Sequence, residues 1–256
     1  MKKTLLIFLL TVSFHTIYAC ICAGTSLDQK FRTNDFIALA KIIEVTPDEK
    51  DKEYHNIEIK IINLYKGEQV KKLKIHSFLN SSCAFFTEKN STWLIFAHKY
   101  DGDLVFGRCS GAVQEDKKFD LEKYPTLNVK HTNSLNLKLN VLGWIKRNKI
   151  TFDNKYGVNV WLPKENLETL RNFNGNESDF AVVEYEITKG LKLGKKRLLK
   201  GFNNNKLSAK FLKQLKSSVK ISHKTLKNLP EKTKLYGIYY FYPEGPYESM
   251  VTTYDL

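Results

Sequence analysis

The sequence predicts a mainly β protein in two parts: a small closed or sandwiched β-structure followed by a smaller α+β unit. Three observations carry this. Five apolar, β-branched segments recur between turn signals from Phe36 to Cys109. After Ala112 the cysteines stop, and helical and strand patterns mix. The charge divides at the same point: residues 20–112 hold 13 Lys and Arg against 12 Asp and Glu, whereas 113–256 hold 26 against 15. A length of 256 residues allows one or two domains at about 150 residues each, and the change of character favours two.

The chain opens as an export signal over 1–19. Lys2 and Lys3 precede the apolar run Leu5–Leu10, and small or polar residues lead to Ala19. The run is too short to span a bilayer, and no second apolar stretch of spanning length follows. The expectation is a secreted, periplasmic or cell-surface protein in an oxidising compartment. Cleavage after Ala19 would lower the formal charge from +14 to +12 and make Cys20 the first residue. The four cysteines, Cys20, Cys22, Cys83 and Cys109, favour two disulfides over zinc ligation, because the distal two stand alone. Four cysteines allow three pairings.

The strands of the first part follow from alternation. Phe36–Val45 and Tyr54–Leu64 are long and β-branched, the second with Ile57, Ile59 and Ile61 alternating against polar neighbours. Charged residues from Asp48 to Glu53 form the loop between them. Lys66-Gly67-Glu68 turns the chain into Val70–His76, and Trp93–His98 pairs with Leu104–Cys109 across Asp101-Gly102.

Residues 113–133 are polar, carry Pro125, and read as a linker. Leu135, Leu139, Leu142 and Ile145 fit a helix, although Leu135, Leu137, Leu139 and Val141 also alternate; helix is the reading adopted. Val158–Leu162 is a short strand, Lys164–Phe173 a helix and Val182–Ile187 a strand. Leu207, Phe211, Leu212, Leu215 and Val219 mark one helical face, and Leu235–Tyr242 is a last strand stopped by Pro243. This order weakly resembles the periplasmic C-terminal domain of TonB proteins, which implies nothing about function. Tyr236, Tyr239, Tyr240, Tyr242 and Tyr247 suit core and edge-strand positions better than a carbohydrate platform.

No catalytic constellation stands out, no cofactor is called for, and the chain reads as a non-enzyme. The histidines fall singly, and there is no phosphate loop, dinucleotide fingerprint or nucleophile elbow. The basic second half would suit an anionic surface or membrane. Nucleic acid is not expected as a partner, since aromatic platforms for base stacking are missing among the lysines.

Cys20-Ile21-Cys22 after a cleavage site, a strand from Asp35-Phe36, a second strand ending Leu64-Tyr65-Lys66-Gly67, Cys83 before the fourth strand and Cys109 closing the fifth together resemble the inhibitory domain of the tissue inhibitors of metalloproteinases. The resemblance covers residues 20–112 and implies a netrin-type module on a five-stranded OB-fold barrel. It implies bridges Cys20–Cys83 and Cys22–Cys109. It also implies a mechanism: the α-amino nitrogen and carbonyl oxygen of Cys20 would chelate the catalytic zinc of a target metalloprotease. Ile21 would enter the specificity pocket, with Cys22, Ala23, Ser81 and Ser82 as further contacts.

Departures accompany the likeness. Arg32 stands where the animal inhibitors have a third cysteine, Ile21 replaces a smaller polar residue, and their cysteine-rich second domain has no counterpart, as in a distant bacterial relative. The resulting organisation is 1–19 signal, 20–112 inhibitor-like domain, 113–133 linker and 134–256 basic α+β domain of unassigned role. The competing reading is a non-inhibitory extracellular or surface binding module. Ile17-Tyr18-Ala19-Cys20 also partly resembles a lipobox, whose acylation of Cys20 would anchor the protein and remove both bridge and clamp.

Overall fold

In a computed structural model the structure describes residues 20–152, 157–222, 230–245 and 247–255. The expected signal, 1–19, and His223 lie outside them. A short helix α1 (Leu27–Thr33) precedes β1 (Phe36–Pro47), β2 (Tyr54–Lys66), β3 (Lys72–His76), β4 (Thr92–Tyr100) and β5 (Asp103–Gly107). β1 pairs with both β2 and β4, β3 with β2 and in parallel with β5, and β5 with β4, so the five strands close on themselves. The N-terminal unit is a five-stranded barrel of OB type.

Closure explains why β1 and β4 read as continuous apolar runs. Phe36, Ala38, Ala40, Ile42, Trp93, Ile95 and Ala97 point into the barrel, where Ile57, Ile59, Leu73, Ile75 and Phe106 complete the core. The alternate residues Ile37, Leu39, Leu94 and Phe96 point outward, yet are equally buried. Strands covered on both faces lose polar alternation. Register shifts at Ile37/Ala38, Leu39/Ala40 and Ile42/Glu44 mark bulges in the β1–β2 ladder, which bend the strands around the barrel.

The outward face is covered by the second half. A helix α2 (Leu127–Arg147) buries Leu135, Leu137, Val141, Leu142 and Ile145. These share one cluster with the barrel's Ile37, Leu39, Leu94 and Phe96 and with Phe180, Val182, Ile238 and Tyr240 of the second sheet. Both sets of positions noted in the sequence are apolar because the helix lies between two surfaces. The segment expected as a linker contains more structure than that word allows. Val113–Gln114 is a short strand β6 paired with β4, His131 Nε2 lies 2.6 Å from the Gln114 carbonyl, and α2 begins at Leu127.

After β7 (Asn159–Trp161) and a one-turn helix α3 (Lys164–Glu168) come β8 (Asp179–Thr188), β9 (Leu193–Lys200), α4 (Asn205–Ser218), β10 (Lys220–Ser222), β11 (Lys232–Tyr242) and β12 (Met250–Thr252). α3 is shorter than the expected 164–173: the chain turns at Asn172, whose φ is 61°. The main sheet is antiparallel in the order β12-β11-β8-β9. One face meets α2 and the barrel; the other, with Val183, Tyr185, Ile187, Tyr239 and Phe241, packs on Leu207, Phe211 and Leu215 of α4. Tyr239 and Tyr240 are core residues, and the Tyr185 and Tyr239 hydroxyls lie 2.6 Å apart. Burial raises both phenols, that of Tyr239 to about 12. Among the described residues no helix is long and apolar enough to cross a membrane.

Candidate functional site

Residues 20–25 run as an extended ridge into α1. Cys20 is bonded to Cys83 and Cys22 to Cys109, each with Cα atoms 5.1 Å apart, across sequence separations of 63 and 87. Closing loops of that length removes denatured-state freedom equivalent to roughly 4 kcal/mol each in the chain-entropy account. Between the two bridges Ile21 is held outward, 87% exposed. Ala23, Ser81 and Ser82 are exposed too, while Cys20 is partly covered. The sulfurs of Cys20, Cys22 and Cys109 lie within 4.8 Å of one another. All are in disulfides, so they offer no thiolate ligand; metal ligation at this ridge would rest on backbone atoms.

The loop carrying Ser81 to Cys83 is built onto the barrel. Ser77 donates its N–H (2.7 Å) and its hydroxyl (2.8 Å) to the Glu53 carbonyl, and that hydroxyl lies 2.7 Å from Nδ1 of the buried His55. Beyond it the Ser81 N–H and hydroxyl both donate to the Phe78 carbonyl, at 3.0 and 2.8 Å, and the Cys83 N–H donates to Ser81 Oγ at 3.1 Å. The loop is thus folded on itself before the disulfide joins it to Cys20. Beneath the ridge opens a cavity of about 590 Å³, lined by Cys20, Cys83, Tyr54, His76, Phe78 and Tyr100. His76 stacks on Tyr54, with ring centres 4.6 Å apart.

Four further contacts hold the base of the ridge. The Ser26 N–H donates to Gln29 Oε1 (3.2 Å), opening α1, and Leu27 and Phe31 bury its inner face. At the other end the Lys66 ammonium donates to the Phe31 carbonyl at 2.6 Å, supplying the donor that a helix terminus lacks. Burial lowers the pKa of Lys66, against the opposing effect of Asp35. Next to it Gly67 has φ +90°, and a Cβ there would stand 2.6 Å from the Asp35 carbonyl oxygen. The Tyr65-Lys66-Gly67 sequence therefore serves the helix behind the ridge as well as the strand.

The fourth contact comes from the far end of the chain. Asp255, its side chain 4% exposed, accepts from the Leu27 N–H (3.2 Å) and lies 3.7 Å from Lys30 and 3.5 Å from Lys138 of α2. Lys138 also donates to Ser134 Oγ at 2.8 Å. Burial lowers the Lys138 pKa, and Asp255 opposes that shift. Neither α1 nor this clasp was expected from sequence. The Ser-x-x-Gln spacing of Ser26 and Gln29 is a helix-start signal that would have found the first; nothing local marks the second. Arg32 sits on the last turn of α1, with its Nε buried and without a hydrogen-bond partner among the described residues.

Asp48, in the loop between β1 and β2, accepts from the Lys50 and Asp51 N–H groups and pairs at 3.0 Å with Lys74, which also pairs at 2.9 Å with Asp103. The Lys74 hydrogen bond is the main cause that lowers Asp48 to about 2, and the bonds from Asp103 and Asp48 raise Lys74 to about 12. This triad ties the long hairpin to β3 and β5.

Residues 18–120 match the family described as tissue inhibitor of metalloproteinase. The match takes in the ridge, the whole barrel and β6, and ends before α2. Over those residues the N-terminal unit resembles a tissue-inhibitor domain on its five-stranded OB-type barrel, and the likeness suggests a metalloproteinase-inhibitor-like function. No curated protein matches the chain.

Proposed function

We propose that the mature protein begins at Cys20, is exported, and inhibits a zinc metalloprotease by placing the ridge in its active-site cleft. The observation that carries this is the doubly bridged Cys20-Ile21-Cys22 with Ile21 87% exposed, on a barrel that matches the inhibitor family. The Cys20 amine and carbonyl would occupy the zinc position that otherwise holds the attacking water. Ile21 would fill the adjoining apolar pocket, and Cys22, Ala23, Ser81 and Ser82 would line the cleft on either side. An inhibitor already ordered by two bridges loses little entropy on docking. Nothing in this role calls for catalysis by the chain itself.

The Cys20–Cys83 bond also speaks against anchoring through an acylated Cys20, because the sulfur is already used. Intact-mass and N-terminal analysis of the exported protein test the premise. The expected species starts at Cys20, carries two disulfides and has an unmodified amine; a lipid adduct or a different start would remove the clamp. Given that terminus, Ile21→Gly should weaken inhibition by roughly 10- to 100-fold, the consequence of losing about 1.5–3 kcal/mol of side-chain burial.

A further inference from the structure

We infer that the face formed by α4 and the adjoining edge strand β9 is an electrostatic docking surface for the phosphate headgroups of an anionic lipid bilayer. The composition here is one-sided: from Ile187 to Pro230 there are 13 Lys and Arg and no Asp or Glu. The fold then sorts these charges. Leu207, Phe211 and Leu215 of α4 are buried against the sheet, which leaves Lys206, Lys210, Lys213 and Lys216, spaced i, i+4, i+7 and i+10, exposed along the side away from it. Lys192 and Lys195 extend the exposed charge before and into β9, which pairs with β8 alone among the described strands.

Among the described residues few of these charges are paired with a carboxylate. Lys200 is paired with Asp179 and Arg197 with Glu184, and Lys196 donates to the Lys216 carbonyl, joining strand to helix end. Lys210 lies over the Phe173 ring at 5.4 Å. Among the described residues Lys192, Lys195, Lys206, Lys213 and Lys216 have no carboxylate partner within ion-pair distance.

The chemistry favours a membrane surface over a single bound ligand. The cations are almost all lysines, point charges suited to many mobile phosphates, whereas bidentate recognition of one anion would use arginine forks. The aromatic residue of α4 itself, Phe211, is buried in the core, so the helix offers no ring of its own to stack sugars or bases. Since the apolar side of α4 is already used in the core, attraction would be electrostatic, without insertion. The sheet lies between this helix and the barrel, so docking would leave the ridge uncovered. The surface does not depend on the inhibitory reading.

Co-sedimentation of the full mature chain with vesicles tests this. Vesicles of phosphatidylcholine containing about one-third phosphatidylglycerol should bring the protein down at low salt. The bound fraction should fall several-fold between about 0.05 and 0.5 M salt, and neutral vesicles should leave the protein in solution. The fourfold variant Lys206→Glu, Lys210→Glu, Lys213→Glu, Lys216→Glu should lose binding. A charge-matched barrel variant (Lys50→Glu, Lys52→Glu, Lys60→Glu, Lys71→Glu) should retain it, with circular dichroism confirming that both are folded. Equal binding to neutral vesicles, salt-insensitive binding, wild-type behaviour of the α4 variant, or capture by a soluble sulfated polysaccharide with the vesicles ignored would each overturn the proposal.

Discussion

Asp255 shows how much of the ridge is decided by single residues far from it in sequence. Its carboxylate meets the first N–H of α1 and two lysines, one on each side of the junction between barrel and second half. Replacing it by alanine leaves Lys138 buried without its counter-charge, a change that costs about 3–5 kcal/mol when one partner of a buried pair is removed. Urea unfolding should register that loss for Asp255→Ala. The double variant Asp255→Asn, Lys138→Met should recover part of it, because the more deeply buried ammonium is then gone and only Lys30, whose side chain is 12% exposed, is left without the carboxylate. Acid should act on the fold through Asp48. Asp48 is held at about 2 in the folded protein against an ordinary 3.8, so its contribution is complete above 3.8 and is lost as pH falls towards 2. Stability measured through that window should converge for the wild type and Lys74→Met, whereas at neutral pH the wild type should be the more stable. Neither residue could be assigned its role from sequence, since each depends on partners brought together only by the tertiary fold.

The elements differ in how legible they were, and the differences have physical causes. β2 alternates because one of its faces is wet, and its limits were close to those observed. β1 and β4 stood out as apolar runs, but only the structure shows that their outward residues belong to an interface. α4 carried a clean helical stripe, whereas α2 carried two competing patterns because two surfaces cover it. What went unseen was short or irregular. α1 has seven residues and depends on Lys66 and Asp255 for its ends. β9 is a lysine-rich edge strand with shifted register against β8, and β12 has three residues. The cysteine spacing carried most of the information about the candidate site, because a disulfide framework constrains loops that have no periodicity of their own. The outward face of β1 and β4 is buried only because the second half covers it. A chain cut to residues 20–112 would expose Ile37, Leu39, Leu94 and Phe96 together, and size-exclusion chromatography should show it associating where 20–256 does not. Monomeric behaviour of the short form would show that the barrel needs no cover.

At the scale of the whole molecule, the second half forms a layer against the barrel, and a residue from near the end of the chain holds the helix behind the ridge. The inhibitor-like unit and the basic unit therefore share one interior, while the ridge and the α4 lysines are separate exposed features. The proposed inhibition turns on the Cys20 amine. An ordinary α-amino group titrates at about 7.7–8.0 and coordinates only when neutral, so inhibition should weaken as pH falls below that range. The most direct measurement compares inhibition constants, against a panel of zinc metalloproteases, for the chain beginning at Cys20 and for the same chain extended by one alanine. The first should inhibit at least one member, and the extended form should lose that inhibition while keeping both disulfides and its unfolding midpoint; equal inhibition by the two forms would rule out chelation by the Cys20 amine.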